Sequence, residues 1–290
     1  MLPLKEAHQK FINYLKEKDR SLATILAYGK DIDQLVQFFF QLEKNRTNDI
    51  KKEDIEAFMA KLQNEGYTLK SISRKTNSTK TFFRFLRINE FVTDNPAALI
   101  SHPRFETPPP RILSQTEYRA LRDVCRNDTR MAAVVEILLQ TGIRIGELCQ
   151  IRLEDLRFAE KKKAGELFIR PQHNHPERTI PLNSAVAARL KEYLESRPKT
   201  KENTLFVTKT GKPFLVRNIR SAMDRCFKIA GIKDAKVNDL RHTFIAHHLM
   251  KGTSLIILSK IAGHKRLATT EKYLKHIQSA YKNTFKLEEL

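Results

Sequence analysis

A chain of 290 residues with 41% hydrophobic content and a mean hydropathy of −0.47 has material for two modest water-facing cores. No apolar run approaches the ~18 residues of a membrane span, and the opening Met1-Leu2-Pro3-Leu4-Lys5-Glu6 lacks the layout of a signal peptide. The net charge of +20, of which about four units fall before residue 107 and about sixteen after it, calls for a polyanionic partner.

Solubility alone asks for only ~2–8 net charges on a small domain. No long basic amphipathic segment with aromatic anchors points to an anionic membrane, so nucleic acid is the favoured polyanion. Cys125, Cys149 and Cys226 are far apart and lack metal-ligand spacing, which predicts free thiols in a reducing cytoplasm.

In chain order, the first hundred residues read as helices alone. A helix over residues 3–18 precedes Ser21, a predicted N-cap, and the next helix runs to about Leu42 on an apolar stripe that includes Leu22, Ile25, Leu35 and Phe39. Asn48-Asp49-Ile50 opens a third that ends at Gly66, and Thr68 opens a fourth with Leu69, Ile72, Phe82, Phe83 and Leu86 on one stripe. The basic residues between them, Lys70, Arg74, Lys75, Lys80 and Arg84, read as a face laid against a phosphate backbone, with a plain solvated face as the competing reading.

Four prolines between Ser101 and Arg111 predict an extended linker, because proline cannot continue a helix. The expected organisation is therefore a helical domain over 1–102, a linker over 103–111 and a larger basic domain over 112–290. After the linker, Ser114 with Glu117 matches a capping box. Helices are predicted near 115–126, 129–140, 184–196, 215–230, 237–251, 253–262 and 266–274. Glu166–Arg170, Arg178–Leu182 and Thr204–Val207 are short β-rich runs that predict a small three-stranded sheet. The fold class is thus mainly α with one small antiparallel sheet.

Two boxes carry the chemistry. Thr141-Gly142-Ile143-Arg144-Ile145-Gly146-Glu147-Leu148 lies about a hundred residues before Arg241-His242-Thr243-Phe244, which is followed by Gly263-His264 and by Tyr273. Two arginines, a histidine and a tyrosine suit attack by a phenol on a DNA phosphodiester. Guanidinium forks bind phosphate bidentately and stay charged at any working pH. A phenol, with its ordinary pKa near ~10, needs a cationic surrounding to act at neutral pH.

The order and spacing of these boxes resemble the tyrosine recombinases of the Xer and phage-integrase type over nearly the whole chain. The resemblance implies a SAM-like core-binding domain followed by a catalytic domain. It implies that Arg144 and Arg241 clamp the scissile phosphate, that His264 hydrogen-bonds it, and that Tyr273 becomes a 3′-phosphotyrosine while a 5′-hydroxyl is released. Glu147, one turn after Arg144, would orient that guanidinium. No metal, ATP or other cofactor is implied. The implied partner is double-stranded DNA with an inverted-repeat core site, bound by a homo-tetramer or with a second recombinase, in a bacterial or archaeal cytoplasm. The sparse apolar tail of Tyr281, Phe285, Leu287 and Leu290 would pass to a neighbouring subunit.

Two positions depart from the family pattern. The hairpin place usually held by a lysine general acid falls near His173, and Pro171–Pro176 contains no lysine, so His173 or His175 stands in as proton donor. Lys161, Lys162 and Lys163 precede the first strand, out of register. Asn238 occupies a place where the family carries histidine, and losing one acid–base participant commonly costs ~10²–10⁴-fold in rate. An accessory DNA-binding protein with weakened catalysis therefore competes with an active recombinase, and a relaxing topoisomerase is a third reading. Within the site, Arg144 could instead be a structural partner of Glu147, and Tyr281 could be the nucleophile. His242 is read as a buttress, and His247 and His248 as ordinary helix histidines. Base contacts are assigned to the 68–87 helix and to the 215–230 helix with Arg217 and Arg220.

Overall fold

The structure, a computed structural model, describes residues 2–106, 108–159, 165–172 and 175–277. The chain divides into two compact units, Met1–Thr107 and Pro108–Leu290. The expectations for His173, for Lys161, Lys162 and Lys163, and for the tail residues Tyr281, Phe285, Leu287 and Leu290 lie outside the described residues.

In the first unit, α1 (Leu4–Glu17), α2 (Leu22–Gln41), α3 (Lys52–Asn64) and α4 (Leu69–Ile88) pack around Phe11, Leu35, Phe39, Phe58, Phe82 and Leu86. Ser21 and Thr68 cap α2 and α4, accepting the Thr24 and Ser71 amides at 3.2 and 3.3 Å. The third helix opens later than its predicted start. Thr47–Asp49 forms a 3-10 turn, and α3 begins at Lys52.

The basic face of α4 is also narrower than expected. Lys75 does not face outward: it is buried, its ammonium 3.0 Å from Asp31 and 2.6 Å from Gln34, beside the Tyr67 ring. The cause is Asp31, a carboxylate of α2 buried in the helix packing, which also takes Arg74 and the Ser78 hydroxyl. A buried carboxylate needs paired donors, and α4 supplies them. Lys80 is half-buried, donating to the Ala98 carbonyl at 3.2 Å. Lys70, Arg74 and Arg84 remain exposed on one stripe of α4.

The second unit contains α5 (Gln115–Cys125), α6 (Thr129–Thr141), the short α7 (Ile145–Leu148), α8 (Ser184–Ser196), α9 (Val216–Ile229), α10 (Val237–Met250), α11 (Leu255–Ala262) and α12 (Ala268–Ile277). Its antiparallel sheet has the order β1-β2-β3, with β1 Leu156–Arg157, β2 Gly165–Ile169 and β3 Arg178–Leu182. The predicted third strand is therefore misplaced. Thr204–Val207 lies beside residues 151–153, tied by Leu205 to the Ile151 carbonyl at 2.7 Å and by the single bridge Arg152↔Thr204, and then turns back at Val207↔Pro213. Its β-rich composition reflects burial of Leu205, Phe206 and Val207 rather than sheet membership.

The long core of this unit is centred on α6, whose Ala133, Val134, Ile137 and Leu138 are buried together with Leu167, Ile180, Leu190 and Met223. Thr243 of α10 is tied to the end of the linker, its hydroxyl accepting the Leu113 amide at 2.8 Å. Gly142 ends α6 in the left-handed region at φ +61, and a Cβ there would stand 2.2 Å from the Phe244 ring. Both the dihedral and the close approach of α10 require glycine. Gly142→Ala should destabilise this unit by ~2–4 kcal/mol through backbone strain and overpacking. The check is urea unfolding of the full chain, where an unchanged midpoint for this unit would contradict the account.

Candidate active site

Arg144 follows directly on the Gly142 turn and stands at the start of α7, where the Glu147 carboxylate accepts its backbone N–H at 2.8 Å. The same carboxylate accepts the Arg144 guanidinium at 3.0 Å and both terminal nitrogens of Arg178, at 2.9 and 2.8 Å. Glu147 is buried, which alone would raise its pKa. The Arg178 fork and the Arg144 amide outweigh burial and hold its carboxyl below the usual range.

Both guanidiniums continue to the end of α11, where helix carbonyls lack intrahelical donors. Arg178 donates to Ile261 at 2.7 Å, and Arg144 to Gly263 at 2.7 Å and Ala262 at 3.5 Å. The approach depends on Gly263, at φ +67, where a Cβ would meet the Arg178 guanidinium at 2.8 Å. His264 comes next in the chain, so the lattice that fixes Arg144 also fixes the backbone carrying that imidazole. Its Nδ1 lies 2.8 Å from the buried Thr270 hydroxyl. Burial, reinforced by Arg241, Arg144 and Arg178, lowers its pKa to about 4, so the ring is neutral at working pH.

Arg241 is 5% exposed, and its one hydrogen bond among the described residues goes to the Gly142 carbonyl at 2.5 Å. Among the described residues no carboxylate pairs with it directly. Burial, together with Arg144 and Arg178, lowers its pKa to about 10. A buried guanidinium beside two others is electrostatically unfavourable, and an anion between them relieves it.

Tyr273 projects from α12 into a small cluster with Phe244, Leu249 and Leu258, and its ring lies edge-on to His242, centroids 5.9 Å apart. Burial raises the phenol pKa, and Arg241 pulls it down by less. The cationic surrounding expected for a reactive tyrosine is therefore only partly in place. Asn238 is exposed, its amide nitrogen 2.7 Å from His242 Nε2 (the amide and ring orientations being assigned), in a groove with Ile145, Arg220 and Lys236. That histidine in turn lies against the Tyr273 ring. Arg217 and Arg220 are exposed on α9.

The fold thus brings Arg144, Glu147, Arg241, His264 and Tyr273 to one place. Sequence reasoning missed Arg178. Its signal was phase: Arg178 shares a face with Ile180 and Leu182, putting an arginine in step with the buried positions of β3. Among the described residues no three His, Cys, Asp or Glu side chains gather as a metal ion would need.

Two outcomes test this geometry. Arg178→Met leaves Glu147 buried with half its partners and should cost ~3–5 kcal/mol, with Arg178→Lys a partial remedy because an ammonium cannot fork; urea unfolding measures both. The depressed His264 pKa means the folded state binds fewer protons than the unfolded one. Its contribution is complete above the ordinary 6.5 and is lost as pH falls toward about 4. His264→Gln should flatten the stability profile within that window, and an unaltered profile would refute the assignment.

Comparisons with known proteins bear on the family of the chain as a whole. The pattern of the Phage integrase family matches residues 111–279, and that of the phage integrase N-terminal SAM-like domain matches residues 9–89. Tyrosine recombinase XerC of Thermodesulfovibrio yellowstonii is 29% identical over 290 residues, covering 93% of each chain. A tyrosine recombinase of Pseudothermotoga lettingae is 30% identical over 272 residues, covering 92% of each. Among solved structures, the Tn1549 transposon integrase in complex with transposon right end DNA has a TM-score of 0.77 at 20% identity, covering 94% of both chains. The lambda integrase tetramer bound to a Holliday junction has a TM-score of 0.72 at 18% identity, covering 92% of this chain and 78% of that one. With a helical SAM-like unit ahead of a two-arginine cleft, the chain belongs to the phage integrase family and is a tyrosine-type site-specific recombinase acting on DNA.

Proposed function

We propose that the chain cuts and rejoins DNA one strand at a time through Tyr273. Arg144 and Arg241 take the non-bridging oxygens of one phosphodiester, and His264, neutral and hydrogen-bonded to Thr270, donates its other ring N–H to the same group. The Tyr273 oxygen attacks phosphorus, forming a 3′-phosphotyrosyl ester and freeing a 5′-hydroxyl. Because the ester retains the energy of the bond, a 5′-hydroxyl from the same or another strand reverses the step without ATP.

The observation that carries this reading is the buried Arg241, held beside Arg144 with no carboxylate hydrogen-bonded to it among the described residues. Like charges crowded in a low-dielectric cleft make a site complementary to an anion that gains charge on the way to its transition state. Arrival of the phosphate and loss of water would also change the setting of the phenol. The exposed Lys70, Arg74 and Arg84 of α4 and Arg217 and Arg220 of α9 are assigned to the duplex, with affinity falling steeply as salt rises.

The expected substrate is an inverted-repeat core site, two protomers to a site and four to a synapse, in the manner of Xer systems that resolve chromosome dimers or of mobile-element integrases. The C-terminal tail would pass to the next protomer, and the setting would be a bacterial or archaeal cytoplasm. Asn238 predicts chemistry slower than in relatives with histidine there. A nicked duplex carrying a half-site, selected from a randomised pool by the Tyr273→Phe variant, is the test. The parent chain should form a covalent adduct on a denaturing gel, and Tyr273→Phe none. Specific binding by the parent without an adduct would favour the accessory reading instead.

A further inference from the structure

Tyr273 has to lose a proton as its oxygen attacks phosphorus. Burial holds the phenol above its ordinary range, and Arg241 offsets that only in part. The step therefore calls for a base beside the ring. Within the site most candidates fall away. Guanidiniums and the Asn238 amide have no basic nitrogen to offer. The Glu147 oxygens are taken up by four N–H groups. The His264 ring faces Thr270 with one nitrogen and is assigned to the phosphate with the other.

His242 remains. It stands on α10 between two pinned neighbours, with Arg241 tied to the Gly142 carbonyl and the Thr243 hydroxyl donating to the Asp239 carbonyl at 2.7 Å. Its ring is already edge-on to Tyr273. The two ring nitrogens have different settings. Nε2 lies 2.7 Å from the Asn238 side-chain nitrogen, which can only donate, so with that amide orientation Nε2 carries the lone pair and Nδ1 the hydrogen.

Nδ1 is closed off from solvent and 3.3 Å from Asp239 Oδ1, yet among the described residues it makes no aligned hydrogen bond. An unsatisfied buried polar atom needs a reason. Asp239 is itself fixed, its Oδ2 capping α10 by accepting the Lys236 amide at 2.7 Å. A neutral ring draws little from this carboxylate, whereas a protonated one would be stabilised by it. The pair is set for an imidazole that gains a proton during the reaction.

We infer that His242 is the proton acceptor of strand cleavage, taking the Tyr273 phenol proton on Nε2 as the oxygen attacks and returning it when the tyrosine is displaced in rejoining. The phenol O–H bond breaks as the Nε2–H bond forms. The Tyr273 oxygen–phosphorus bond forms as the phosphorus–O5′ bond breaks, and O5′ leaves with the bonding pair and is protonated from solvent. Asp239 holds the imidazolium until rejoining, when the attacking 5′-hydroxyl loses its proton to solvent. The exposed Asn238 amide gives up Nε2 to the phenol and is then free to donate to a phosphate oxygen. A ring expected only to buttress the fold thus takes part in the chemistry.

This inference rests on the cleavage reading above, and the test separates the two. His242→Ala, His242→Gln and Asp239→Asn are compared with the parent on the pool-selected nicked half-site, each chain made with tyrosine or with difluorotyrosine at position 273. Asparagine caps a helix as aspartate does, so Asp239→Asn removes the charge and spares α10. All three should bind the duplex as the parent does. With tyrosine, the His242 variants should form adduct ~10²-fold or more slowly. Asp239→Asn should show a smaller deficit. Fluorine makes the phenol more acidic and less reliant on a base, so each deficit, measured against the fluorinated parent, should shrink, for the His242 variants by ~10-fold or more. Sulfur in place of the bridging 5′-oxygen, which spares the leaving group a proton, should rescue none of them.

Equal deficits with both phenols, or no deficit with tyrosine, would overturn the assignment. Rescue by sulfur would move His242 to the leaving group and overturn it as well. Loss of duplex binding in all three variants would make the ring a structural element only. If the parent formed no adduct with either phenol, the cleavage reading itself would fail and take this inference with it.

Discussion

The Glu147 carboxylate binds the architecture of the site together. Four N–H groups converge on its two oxygens, three from guanidiniums and one from the backbone that starts α7. The guanidiniums then reach across to the carbonyls that end α11. One anion thereby links the first arginine box, the strand after the hairpin and the segment leading into His264. A carboxylate so buried is stable only while its donors are in place, so the arrangement is held as a unit. Arg241 stands outside that unit, tied to the Gly142 carbonyl and, among the described residues, with no carboxylate hydrogen-bonded to it. The site therefore combines a neutralised, rigid side and a bare cationic one.

Packing at two glycines makes this possible. The Phe244 ring would collide with any side chain at Gly142, and the Arg178 guanidinium with any at Gly263. Each glycine ends a helix in the left-handed region and lets another element come within contact distance. Helix termination and site assembly are thus one event at both positions, with Gly142 two residues before Arg144 and Gly263 directly before His264.

Much of this is legible in the sequence, for physical reasons. The long helices have apolar residues at helical spacing and side-chain caps at Ser21, Thr68 and Ser114, which place their ends to within a few residues. What escapes depends on tertiary partners. A four-residue helix such as α7 has too few positions to show a period. The 204–207 run has the composition of a strand because it is buried, yet it pairs with a loop. Lys75 looks like its neighbours on α4 until the buried Asp31 of α2 is known. Arg178 escapes because the hairpin draws attention to a missing lysine rather than to an arginine in phase with the core. Tyr273 is expected to be surrounded by cations, but apolar neighbours from α10 and α11 dominate its setting.

The unpaired state of Arg241 bears on how the protein finds its place along a duplex. Phosphates are chemically alike, and those lying over solvent-facing lysines and arginines exchange one diffuse counterion atmosphere for another with little preference for position. On the proposed reading, a phosphate settling between Arg144 and Arg241 would do something different, because it would end a repulsion between guanidiniums inside the protein. Only one phosphate per protomer would do so at a time. The duplex would thereby be indexed to a single step of its backbone before any base edge is consulted, and sequence recognition elsewhere on the protein would have only to choose among discrete frames.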